Sequence, residues 1–152
     1  MILRSGAKPG DFIFVTGPLG GSIKGRHLNF VPRVTESRML TRDYCLHAMM
    51  DISDGLVQDL GQVLKASRCG AILYEELIPV HPDAEGINDA LYSGEDFELL
   101  FTLGRPHSER LLRERSPRVY PIGEVVAGNR KVKFVYRSGK ERVLEQKGYR
   151  HF

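Results

Sequence analysis

The chain has 152 residues, 41% hydrophobic and 27% charged, the length and balance of one globular domain with its own core. Its net charge of +3 is spread over interleaved basic and acidic residues, which leaves no stripe for nucleic acid. No apolar run reaches the length of a membrane span, and the N-terminus carries no signal-peptide core.

The elements alternate in type along the chain. Lys8-Pro9-Gly10-Asp11 reads as a turn and Phe12-Ile13-Phe14-Val15 as a strand. Gly17-Pro18-Leu19-Gly20-Gly21-Ser22 reads as a flexible loop that lets a backbone come close to a ligand, although it matches neither common phosphate-binding glycine pattern. A helix is predicted over 32–43, with Thr35 as its cap and Glu36 in its first turn. Leu46, Ala48, Met49 and Met50 form a short buried strand. The stripe Leu56, Val57, Leu60, Val63, Leu64 marks an amphipathic helix closed by Cys69-Gly70. A strand over 71–74, a proline-bearing connection and a helical turn over 89–92 follow. Then come a strand over 97–103, buried on both faces, and a helix from Pro106 to about Arg115 with Leu111 and Leu112 inward. The strands over 119–126 and 131–136 are expected to pair across a Gly128-Asn129 turn. Arg130, Lys131 and Lys133 alternate with Val132 and Phe134 as the wet face of the second of these strands. From the residues alone this is one mixed α/β domain.

Asp51-Ile52-Ser53-Asp54-Gly55-Leu56 stands where a strand gives way to a helix. Free N–H groups and the helix dipole favour phosphate oxygens there, and carboxylates join a phosphate site when a hard cation such as Mg²⁺ stands between. Plain helix capping by Ser53 and the aspartates accounts for the same spacing. Gly94-Glu95-Asp96, ahead of the next buried strand, reads equally as a solvated turn or as a pair of functional carboxylates at a strand edge. Cys45 and Cys69 make no Cys-x-x-Cys pair and have no histidine at zinc spacing, so reduced, partly buried thiols in a cytoplasmic protein are expected, with a disulfide left open. The five histidines are dispersed, and none is assigned to catalysis.

Taken in order, the motifs become specific. They are Ala7-Lys8-Pro9-Gly10-Asp11, Val15-Thr16-Gly17, Pro32-Arg33-Val34, the 51–56 junction, Gly94-Glu95-Asp96-Phe97-Glu98-Leu99-Leu100, Ile122-Gly123 and Gly148-Tyr149-Arg150-His151-Phe152. This series resembles the C-terminal half of the thiamine-monophosphate kinase family, within the superfamily named for aminoimidazole ribonucleotide synthase. The resemblance implies an α/β (α+β) sandwich, a mixed β-sheet with packed helices, spanning residues 1–152 as a single C-terminal-type domain. It also implies Mg²⁺-dependent transfer of the ATP γ-phosphate to thiamine monophosphate. Asp51 and Asp54 would bind Mg²⁺, Ser53 would contact ATP, and Glu95 would face the thiazolium cation. Tyr149 would stack on the thiamine, with Phe152 as the other aromatic for that role. No covalent nucleophile or general base is implied.

Two departures stand out. Nothing here corresponds to the family's N-terminal ATP- and Mg²⁺-binding domain, so the chain alone is expected to be an incomplete, inactive enzyme that meets an N-terminal partner or forms a homodimer. The run from Gly20 to Arg33 is also short, which puts in doubt the family's usual helix there. Two other readings stand beside this one: a cousin serving aminoimidazole ribonucleotide, selenophosphate or hydrogenase-maturation chemistry, and a non-catalytic binding module.

Overall fold

A computed structural model describes residues 3–21, 33–115 and 117–146. Seven strands form one sheet: β1 (Phe12–Val15), β2 (Leu46–Asp51), β3 (Gly70–Tyr74), β4 (Leu99–Leu103), β5 (Tyr120–Val126), β6 (Val132–Val135) and β7 (Glu141–Leu144). Their spatial order is β2-β4-β1-β5-β3-β6-β7, with every neighbouring pair antiparallel except β3 and β6. The helices are α1 (Val34–Asp43), α2 (Leu56–Ser67), α3 (Ile87–Tyr92) and α4 (Arg105–Glu114).

Alternation along the strands divides the core in two. Ile13 and Val15 face one side of β1 and join Leu56, Leu60 and Leu64 of α2 and Leu91 of α3 in the larger cluster. Phe14 faces the other side and meets Phe101, Leu40 of α1 and Leu111 of α4; its ring stacks on Phe101 at 5.2 Å. Helices therefore cover both faces of a mixed sheet, the architecture expected. β4 is buried along its whole length because both layers press on it.

Several local expectations need correction. The strands at 119–126 and 131–136 do not pair with each other, because β3 lies between them. Ala71 and Leu73 of β3 are fully buried, and the parallel register sets Val132 and Phe134 beside them on the same core face. β6 instead makes its hairpin with β7, a strand too charged to stand out in the sequence: only Leu144 of its four residues is buried. Helix α2 ends at Ser67 with Arg68 in the left-handed region (φ 58°), two residues before the glycine that was expected to close it. Leu112 of α4 is exposed while Leu111 is buried. Both cysteines are free thiols, Cys69 buried and Cys45 exposed, where both were expected partly buried. Among the described residues no helix is long and apolar enough to cross a membrane. The short Gly20–Arg33 run, from Ser22 to Pro32, lies outside the described residues.

Candidate active site

The junction between β2 and α2 is held by backbone bonds to the loop that precedes β4. Ile52 N–H donates to the Glu98 carbonyl at 2.8 Å, Phe97 N–H to the Ile52 carbonyl at 2.9 Å, and Glu95 N–H to the Ser53 carbonyl at 2.8 Å. The two acidic motifs are therefore one structure. Following the junction exactly enough to make these bonds forces Glu95 (φ 63°) and Phe97 (φ 53°) into the left-handed region. Such conformations cost about 1 kcal/mol or more apiece for residues other than glycine and persist where the surroundings over-determine them.

Capping does not occupy the junction carboxylates. Gly55 is the N-cap residue of α2, and no side chain caps it from outside. The acceptor comes from within the helix: Asp59 Oδ2 takes the Ser53 N–H at 2.8 Å and the Asp54 N–H at 3.0 Å. Asp59 is fully buried, and its Oδ1 meets no hydrogen-bond partner among the described residues. Burial pushes its carboxyl above the usual range, against the opposing pull of the Asp54 and Ser53 amides. Its signal in the sequence is a charged residue on the apolar stripe of α2, three positions after Leu56 and four before Val63. Gly55 is required by the close approach of α3: a Cβ there would lie 2.9 Å from the Tyr92 carbonyl oxygen, and φ is +126°.

Asp51 closes β2 at an exposed position, Ser53 is exposed, and Asp54 and Glu95 are half-buried. None of the ion pairs among the described residues involves Asp51, Asp54 or Glu95. Among the described residues these carboxylates thus have no ion-pair partner. No group of three or more His, Cys, Asp or Glu side chains converges among the described residues. Two water-facing carboxylates suit Mg²⁺, which keeps much of its water and phosphate shell; they do not suit Zn²⁺ or a many-oxygen Ca²⁺ cage. Tyr149 and Phe152 lie outside the described residues.

The second half of the site is built around Glu98. This carboxylate, 3% exposed, accepts from Thr16 Oγ1 at 2.7 Å and from Arg33 Nε and Nη2 at 2.8 and 2.9 Å. Thr16 Oγ1 in turn accepts the Leu99 N–H at 2.8 Å. Three separate motif fragments, Val15-Thr16-Gly17, the arginine of Pro32-Arg33-Val34, and the 94–100 string, therefore meet at one carboxylate. Gly17 makes the room: a Cβ there would come within 2.6 Å of Glu98 Oε1. Arg33, not Thr35, is the N-cap residue of α1, and its side chain is spent on Glu98 and, loosely, Glu36 at 3.4 Å, so α1 has no side-chain cap. The bidentate pair raises the Arg33 pKa still further.

The glycine loop after β1 proves structural at the described positions. Gly20 N–H donates to Asp96 Oδ1 at 3.0 Å and Gly21 N–H to Asp89 Oδ2 at 3.2 Å, so these amides serve the chain's own carboxylates. Asp96, buried, is thereby a loop anchor, while its neighbour Glu95 stays half-buried with its side chain unpaired by any described cation.

Residues 28–135, which include both acidic motifs and the Arg33–Glu98 pair, match the family described as AIR synthase related protein, C-terminal domain. The chain belongs to this family. Among individual proteins it is similar to thiamine-monophosphate kinase of Rhodopirellula baltica, 40% identical over 160 residues that take in 98% of this chain and 50% of the relative. The thiamine-monophosphate kinase of Escherichia coli (strain K12) is 36% identical over 183 residues, 99% of this chain and 55% of the relative. The chain thus spans about half the length of the curated relatives it matches. Of solved structures, AaThiL complexed with AMPPCP and TMP superposes with a TM-score of 0.78 at 28% identity, over 99% of this chain and 54% of that one. These curated relatives are kinases, and the part of each that matches this chain carries the AIR synthase related C-terminal domain.

Proposed function

We propose that this chain is the C-terminal half of a thiamine-monophosphate kinase and supplies part of the Mg²⁺–nucleotide site and the acceptor side of the reaction. The observation that carries the reading is the junction of Asp51 and Asp54, which form no ion pair among the described residues, with the Glu95 loop, locked together by three backbone bonds. The similar kinases and the nucleotide- and TMP-bound neighbour support the choice of substrates.

In this reading Asp51 and Asp54 hold Mg²⁺, and Ser53, its amide fixed by Asp59, meets the nucleotide. Bound Mg²⁺ supplies charge neutralisation for the phosphates as the γ-phosphoryl group passes to the acceptor. The protein's own share is positioning. Asp59 frees the junction carboxylates from capping, and Glu98 fixes the loop from which Glu95 faces the cationic ring of thiamine. Two polyanions brought into line need no protein nucleophile, and no described side chain is placed as one. Tyr149 or Phe152 is the aromatic platform for the thiamine. Turnover requires the half of the relatives that this chain does not span.

Calorimetric titration with thiamine monophosphate, with and without Mg²⁺–AMPPCP, tests the proposal. Binding is expected, weakened about tenfold in Glu95→Gln, since a contact to a charged group carries about 1.5–3 kcal/mol and Glu95 is half-buried. In Asp51→Asn the Mg²⁺ dependence should disappear. Adding the N-terminal half of a similar kinase should restore turnover. Absence of turnover with binding intact would indicate a module that has kept the substrate but lost the chemistry.

A further inference from the structure

A groove of about 390 Å³ is lined by Asp51, by Arg33, Val34, Ser37 and Arg38 at the start of α1, and by Phe97 and Leu99. We infer that this groove is an anion subsite that takes the phosphate of a phosphomonoester, with Arg33 and Arg38 as its cationic wall. The inference rests on the function proposed above and adds to it the residues that meet the acceptor phosphate.

Three features carry it. The Arg33 guanidinium is bound twice by Glu98, and among the described residues its Nη1 has only the loose 3.4 Å contact to Glu36. An arginine fixed in this way loses little further freedom when an oxyanion docks on its remaining edge. Arg38 is exposed, and its guanidinium takes part in none of the ion pairs among the described residues; the Ser37 hydroxyl lines the same wall. Finally, Asp51 lines the same groove and, among the described residues, pairs with neither arginine. Opposite charges that share a groove but do not close it leave a gap suited to a charged ligand between them. The phosphate would sit against the arginines, and its repulsion from Asp51 would be relieved when that carboxylate holds a divalent cation. The arrangement therefore requires phosphate and Mg²⁺ to strengthen each other's binding, a linkage that a chance anion on surface arginines would not show.

The test is an amide-resolved NMR titration of the full chain with thiamine monophosphate, phenyl phosphate and thiamine, each with and without Mg²⁺. Both phosphomonoesters, and not thiamine, should shift Ser37, Arg38 and Asp51, and Mg²⁺ should tighten them about tenfold or more. Arg38→Gln and Arg33→Lys should each weaken the phosphomonoesters about tenfold while leaving Mg²⁺ affinity in their absence unchanged. Thiamine monophosphate that shifts residues 94–98 but not the groove would overturn the subsite and leave the proposed function standing. Shifts insensitive to Mg²⁺ would mark an adventitious anion and equally overturn it. No shift in either region would overturn both.

Discussion

Replacing Glu98 by glutamine keeps the shape of the side chain and removes the charge that three donors share. Two of those bonds come from Arg33 and one from Thr16. Breaking a buried ion pair by removing one partner costs about 3–5 kcal/mol. Here the Arg33 side chain is 28% exposed and can recover some water, while the glutamine oxygen still accepts from Thr16. The expected loss is therefore about 2–3 kcal/mol. With a urea slope of about 2 kcal/mol/M, the unfolding midpoint should fall by about 1 M at unchanged slope. Arg33→Met keeps the aliphatic stem and removes the same pair, so a double-mutant cycle should return a coupling of at least about 1 kcal/mol. Glu98→Gln and Arg33→Met effects that add to within about 0.3–0.5 kcal/mol would refute the idea that this pair ties α1 to the loop.

Thr16→Val leaves the buried Leu99 N–H without its acceptor and should cost about 1–3 kcal/mol in the same denaturation assay. Gly55→Ala, at φ +126° and against the Tyr92 carbonyl, should cost about 2 kcal/mol or more, with loss of ligand binding at the junction if the chain still folds. Asp59 has a pKa raised above its unfolded value of 3.8, so its contribution to stability is greatest below that value and is lost as pH rises through the folded pKa. Asp59→Asn should therefore gain on the wild type as pH rises above about 4, measured by urea midpoints across pH, whereas Asp59→Ala should lose about 2 kcal/mol by stripping the Ser53 and Asp54 amides of their acceptor. Asp51→Asn and Asp54→Asn, at positions that make no ion pair among the described residues, should leave stability within about 0.5 kcal/mol while weakening Mg²⁺ binding in a calorimeter.

Most elements were legible because their apolar periods are strong. The α2 stripe and the runs of β1 and β4 each named their own type and nearly their own limits. Pairing was less legible, because which strand lies beside which is decided by distant residues. Val132 and Phe134 fit beside β3 as well as they would have fitted beside β5, and nothing local distinguishes the two. The site divided in the same way. Asp51, Ser53, Asp54 and Glu95 were visible as local patterns at element ends. Glu98 was hidden within a motif string, because its partners Thr16 and Arg33 are 82 and 65 residues away in sequence. Asp59 was hidden by an otherwise ordinary helix, although an acid on the buried face was a sign that backbone donors would come to it.

Those same separations bear on how the molecule reaches its folded form. β1 pairs with β4 and β5, and β2 with β4, so the centre of the sheet closes only when segments from across the chain have met. Topologies dominated by such distant contacts fold in about milliseconds to seconds, far more slowly than helical bundles. Thr16, Arg33, Ile52 and Glu98 come together at that last closure. A partly folded chain therefore lacks the Arg33–Glu98 half of the candidate site, while the Asp59 bonds to the Ser53 and Asp54 amides span only 6 and 5 residues and need no distant segment.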